Sequence, residues 1–214
     1  KFCVLGDASK STVDFLLVGD SHAFHAQPLL NKISAQFGLR GITGGTSGCP
    51  PLLGIYPLRT RPHPDGQSKD CYGFNQNGYE FVKTNGVKIV FLVARWDYYV
   101  DGAEKGQMNA FTGSDTKMIS LVDMRKLYKD AIKTTFEAYK ALGVKVVVAL
   151  QVPHQTVSIA RFLEDIMRSG DSVKELKPKF NEALTKGVTI EEHLQRQKMA
   201  SSPWRELATR NNNS

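Results

Sequence analysis

The stretch that decides the fold is Leu16-Leu17-Val18-Gly19-Asp20-Ser21-His22-Ala23. An apolar run, Thr12 to Val18, stops abruptly at Gly-Asp-Ser, and a helical pattern follows from His22 to Phe37. Two more runs share its character: Val87 to Val93 (VKIVFLV) and Val144 to Val152 (VKVVVALQV). All three are rich in β-branched residues and nearly continuous rather than alternating. That is the pattern of strands covered on both faces of a parallel sheet. Leu39 to Thr43 reads as a fourth, shorter strand.

Helical patterns lie between the strands. Apolar residues recur three or four apart from Leu121 to Leu142, so they share one face of a long amphipathic helix. Ser120 is placed to cap its start, and Gly143 to stop it. Phe74 to Thr84 reads as another helix, and Pro28 should kink the His22–Phe37 helix or end its first turn. After residue 154 the pattern is helical: Ser158–Arg168, Val173–Thr185 and Thr189–Ala200, with Pro203-Trp204 opening a last short turn. Strands alternating with helices give an α/β layered fold with right-handed crossovers.

Composition bounds the function. The 214 residues suit one domain, and 41% hydrophobic with 23% charged residues excludes a disordered or coiled-coil chain. No apolar run reaches the ~20 residues needed to span a bilayer. The chain starts at Lys1 and shows no signal peptide, so it is read as a fragment or processed product. The formal charge of +7 comes from Lys and Arg spread along the chain. No nucleic-acid-binding signature accompanies it, so a solvated basic surface is expected rather than a nucleic-acid partner.

The cysteines stand at 3, 49 and 71, without metal-binding spacing. Gly48-Cys49-Pro50-Pro51 opens a polar, Pro-rich loop that Cys71 follows, so a Cys49–Cys71 disulfide in an oxidising compartment is expected. Cys3 is left over, either free and buried or separated from its partner.

Ser21 carries the chemistry. A strand end in a parallel α/β sheet places it at the carboxyl rim, where such folds hold their sites. The helix beyond it offers free N–H groups and a positive dipole end. A serine there can act as a nucleophile, with its own N–H helping to hold an oxyanion. The bland alternative is a helix cap. The Thr43–Gly48 stretch TGGTSG lacks the Lys-Ser/Thr of a phosphate loop, which disfavours a nucleotide binder.

Several ordered segments together resemble the SGNH/GDSL esterases. They are closest to the SGNH domains fused to the C-terminus of acyltransferase-3 membrane O-acetyltransferases. The segments are Cys3–Asp7, Gly19–Ala23, Gly48–Leu52, Arg95-Trp96 and Val152–His154. The resemblance implies a three-layer flavodoxin-like fold with a parallel sheet. It implies one SGNH-like domain over residues 1–214, cut from a larger membrane protein and facing the periplasm or cell exterior. The implied activity is transfer of acetyl groups to cell-surface glycans through a serine acyl-enzyme. Its partners would be a glycan acceptor and the acyltransferase-3 domain in cis, with no metal or organic cofactor.

Residue by residue, Ser21 matches the family nucleophile, and Gly44 or Gly45 the oxyanion glycine. Asp20, Arg95, Trp96 and His154 are supporting candidates. Ala94-Arg95-Trp96-Asp97 stands where ordinary SGNH esterases carry Gly-x-Asn-Asp, so the Asn donor is absent. No Asp-x-x-His follows residue 155, so the last strand and C-terminal block are expected to be missing from this chain. A non-catalytic glycan-binding domain lacking that base is the alternative. His154, past the fourth strand, is the in-chain base with a structural argument. His22 and His25 are expected to pack, cap or support, and His193 to sit on a helix surface. The Trp96, Tyr98 and Tyr99 cluster suits either a sugar face or packing.

Overall fold

The computed structural model describes residues 3–58, 67–100, 110–112, 120–152 and 187–212, together with Glu164, Arg168, Pro178 and Asn181. It divides into two compact units, residues 1–151 with 199–214, and residues 152–198. Of the helices expected over 158–185, Glu164, Arg168, Pro178 and Asn181 are among the described residues, all four helical, and the rest lies outside them.

The first unit is built on a five-stranded sheet. Its strands are β1 (Cys3–Gly6), β2 (Phe15–Gly19), β3 (Arg40–Gly45), β5 (Ile89–Val93) and β7 (Lys145–Ala149), in the order β1-β3-β2-β5-β7. β3, β2, β5 and β7 are parallel, as their continuous apolar runs predict. β1 was not anticipated as a strand. It adds antiparallel to β3, with Cys3 opposite Thr43. Cys3 is exposed on that edge strand rather than buried. A small ribbon pairs β4 (Tyr56–Leu58) with β6 (Ala110–Thr112).

α1 (Ser21–Gln36) covers one face, where Phe15 and Leu17 pack with Ala23. α2 (Gln67–Asn85) and α3 (Leu121–Ala141) cover the other, where Leu16, Val18, Val90 and Leu92 meet Val82, Met124, Tyr128 and Ile132. Helices on both faces make the three layers. The Ser120 hydroxyl caps α3 by accepting from Asp123 N at 3.1 Å, and Gly143 ends it at φ +69°. Both are as the sequence predicts.

Neither helical proline ends its helix. α1 continues through Pro28, so of the two outcomes expected there it does not end the first turn. Instead of a separate turn at Pro203, one helix, α4 (Ile190–Asn212), runs through it. An interior proline costs roughly 3 kcal/mol. Here the next residue, Trp204, is buried with its ring 5.2 Å from that of Trp96. Tyr128 Oη also donates to Ala200 O at 2.9 Å. Packing on both sides of the proline outweighs its local cost.

The second unit's described part shows one local device. At the start of α4, Thr189 Oγ1 accepts from Glu192 N at 3.2 Å, while Glu192 Oε2 accepts from Thr189 N at 2.9 Å. That reciprocal pair is a capping box. His193 lies in this helix, half-buried, as the sequence placed it.

Candidate active site

β2 delivers the chain to the carboxyl rim at Gly19. A Cβ there would lie 1.7 Å from Val93 O, so only glycine lets β2 and β5 run this close at their ends. Asp20 is the N-cap of α1, and Ser21 is its first residue. Ser21 is exposed, and its hydroxyl has no hydrogen-bond partner among the described residues. As the first residue of the helix, its N–H has no intrahelical acceptor.

Asp20 is 2% exposed, and its carboxylate accepts three hydrogen bonds from described residues. His22 N donates to Oδ1 at 2.8 Å, which caps the helix. Arg95 N at 2.9 Å and Tyr99 Oη at 2.7 Å both donate to Oδ2. The carboxylate thus ties the start of α1 to the segment leaving β5. Buried carboxylates need such donors to offset their lost hydration.

That segment is a short 3₁₀ helix, Trp96–Tyr99. Trp96 Nε1 donates to Ala149 O at 2.8 Å, and Asp97 N donates to Gln151 Oε1 at 3.1 Å. The ends of β5 and β7 are therefore joined. Trp96 and Tyr99 are 1% and 0% exposed, so their rings are committed to packing and offer no face to a sugar. Tyr98 is half-buried, with the Arg95 guanidinium 5.3 Å above its ring. Arg95 Nε also lies 3.8 Å from Asp97 Oδ1. The Arg95 N–H is thus held by Asp20, and its guanidinium by Tyr98 and Asp97.

His22 and His25 follow Ser21 in α1, with ring centroids 5.9 Å apart. Burial holds the His22 imidazole below the usual histidine range. The charges of Arg95 and His25 push the same way, and those of Asp20 and Asp97 oppose them. His154 lies outside the described residues.

On the other side, Gly44 pairs with Val18 and Gly45 with Gly19. Thr46 N donates to Gly19 O at 3.2 Å. Alternate residues of a parallel strand turn their polar groups to the same neighbour. Gly44 therefore directs its N–H to β2, while the Gly45 N–H stands outside that ladder. A Cβ on Gly45 would meet the Phe24 ring at 2.9 Å and Gly19 O at 3.0 Å, so this corner is closely packed.

The loop after β3 is pinned to α2. Cys49 and Cys71 form the expected disulfide, with Cα atoms 5.5 Å apart. Buried Asn75 donates to Pro50 O at 2.8 Å and to Leu52 O at 2.9 Å. Sequence reading missed Tyr99 as a partner of Asp20, and it missed Gln151 and Asn75. Each is a single polar residue without a motif, so the sequence carried no signal for their contacts.

No curated protein sequence matches the chain. A solved structure, "Structure of Salmonella ser. Paratyphi A lipopolysaccharide acetyltransferase periplasmic domain", aligns at TM-score 0.50 and 14% identity. The alignment covers 83% of this chain and 64% of that one, so the chain spans less than two thirds of that neighbour. At this identity the likeness shows the fold. A family model described as "SGNH domain (fused to AT3 domains)" matches residues 1–214. With the Gly-Asp-Ser turn placed at the head of α1, the chain belongs to the family of SGNH domains fused to AT3 domains.

Proposed function

We propose that this chain is the extracytoplasmic SGNH domain of a membrane-bound O-acetyltransferase, which carries an acetyl group on Ser21 to a glycan hydroxyl. The observation that carries the reading is Ser21 itself. It is exposed at the N-terminus of α1 and held there by the buried, three-fold hydrogen-bonded Asp20. Family membership and the fold neighbour, a lipopolysaccharide acetyltransferase domain, support the acetyl and glycan assignments.

In this mechanism Ser21 Oγ attacks the acetyl carbonyl and a histidine base takes its proton. The Ser21 N–H and an amide at Gly44 or Gly45, the family's oxyanion glycine, hold the oxyanion. One such donor is worth roughly 3 kcal/mol of barrier. The intermediate collapses to acetyl-Ser21 as the base hands that proton to the donor's leaving group. A glycan hydroxyl then attacks the ester and gives its proton to the base, which returns it to Ser21 Oγ as the serine leaves. Arg95, with its N–H fixed on Asp20, orients substrate through its guanidinium. The base is His154 or a residue of polypeptide outside this chain.

One observation favours the second reading, a glycan-binding domain without catalysis: the Ser21 hydroxyl has no hydrogen-bonded base among the described residues. Hydrolysis of p-nitrophenyl acetate separates the two. Residues 1–214 and the gene product extended beyond Ser214 are each compared with their Ser21→Ala forms. A Ser21-dependent rate in either supports acyl transfer. Rates equal to the Ser21→Ala background in both overturn it.

A further inference from the structure

Phe24 lies three residues after Ser21 in α1, and it is 41% exposed. Residues three apart on a helix are neighbours on its surface, and helical side chains lean toward the helix N-terminus. The ring therefore leans toward the rim where Ser21 stands. Its tip is fixed on the far side of that rim. A Cβ on Gly45 would meet Phe24 Cζ at 2.9 Å and Cε1 at 3.0 Å, so the ring rests directly on the Gly45 backbone. Phe24 thus reaches from the helix that carries Ser21 to the end of the strand that carries Gly44 and Gly45.

The ring is held in this place from both directions along α1. Ala23, its neighbour in the chain, is fully buried and packs with Phe15 and Leu17. Gln27, three residues further on, donates from Nε2 to Thr43 Oγ1 at 3.1 Å, two positions before Gly45. On the other side Asp20 caps the helix through His22 N. α1 cannot roll on β3 without breaking these contacts. Substrate sites set a few polar groups beside apolar and aromatic walls, and here the partly open ring stands beside the two kinds of amide the mechanism uses.

The acyl-enzyme defines what the ring touches. With the carbonyl oxygen of acyl-Ser21 held by the Ser21 N–H and the amide of Gly44 or Gly45, the carbonyl carbon lies between the head of α1 and the end of β3. Phe24 is the large apolar side chain that bridges those two elements. We propose that Phe24 is the specificity-determining residue for the acyl group: its ring packs against the acetyl methyl and closes the space a longer chain needs. Acetyl donors are admitted, and donors of butyryl and longer groups are turned away. The proposal rests on the acyl-transfer reading of Ser21 and adds to it the size of the group transferred.

The test is the acyl preference of the full-length gene product, with Ser21→Ala as the blank. Values of kcat/KM are measured for p-nitrophenyl acetate and p-nitrophenyl butyrate. The wild type should favour acetate by about tenfold or more, the discrimination a fitted apolar pocket gives for a methylene. Phe24→Ala should raise the butyrate-to-acetate ratio about tenfold. Phe24→Leu, which keeps an apolar contact on Gly45, should raise it several-fold, and it carries the comparison if the alanine form does not fold. Loss of a ring that only supported the helix would slow both esters together and leave their ratio alone. An unchanged ratio in the active variants, or a wild type that takes butyrate as readily as acetate, overturns the proposal and leaves the Ser21 reading standing. A gene product with no Ser21-dependent rate on either ester overturns that reading, and the proposal falls with it.

Discussion

The Tyr99 hydroxyl donates to Asp20 Oδ2 at 2.7 Å, joining residues 79 positions apart. Asp20 sets where Ser21 stands, because it caps the helix that Ser21 begins. Tyr99→Phe should leave the buried carboxylate short of one donor and cost about 1–3 kcal/mol of stability. Asp20→Ala should cost more, because it also removes the cap and leaves Arg95 N and Tyr99 Oη without this acceptor. Urea denaturation of the two variants checks the order, and any Ser21-dependent esterase rate should fall in the same order.

Gly19→Ala should be among the most damaging small substitutions. The new methyl would fall 1.7 Å from Val93 O, which is backbone and cannot swing away. The central strands must part, at a cost of about 3 kcal/mol. A lowered denaturation midpoint with an unchanged denaturant slope is expected. An unchanged midpoint would refute the close approach.

The Cys49–Cys71 bond closes a sequence separation of 22 residues around the loop that follows β3. Reduction, or the double change Cys49→Ser with Cys71→Ser, should cost about 3 kcal/mol on the chain-entropy account. Thermal melts with and without reductant should differ in the wild type and coincide in the double variant. Asn75 still bonds Pro50 O and Leu52 O, so the loop should stay folded at neutral pH and room temperature.

His22 makes stability fall on the acid side. Its native pKa lies below the ordinary 6.5, chiefly because burial disfavours the imidazolium. Well above pH 6.5 His22 is neutral in both the folded and unfolded states, and its contribution is fully present. As pH drops below 6.5, the unfolded chain binds a proton that the native chain does not, so stability declines until the native pKa is passed. His22→Gln should flatten that part of the profile. Denaturation midpoints at pH 8, 6.5 and 5 for both proteins test the slope. A variant that declines as steeply as the wild type would assign it to other groups.

Local patterns in the sequence determined the main strands, α3 with its Ser120 cap and Gly143 stop, and the strand–turn–helix that displays Ser21. Each depends on neighbours a few residues away, whose periodicity and turn chemistry are written in order along the chain. The disulfide was legible too, because only one loop brought two cysteines to sensible places. The tertiary structure alone decided that β1 adds antiparallel, that α4 passes through Pro203, and that Trp96 and Tyr99 face inward. It also decided that Asp20 is clasped from Arg95 and Tyr99, and which glycine amide is left outside the β2–β3 ladder. Those outcomes turn on contacts between residues far apart in sequence, where burial of an indole or the need to satisfy one carboxylate outweighs local preference. Sequence periodicity cannot register them, since it records what each segment can do alone and not what it meets.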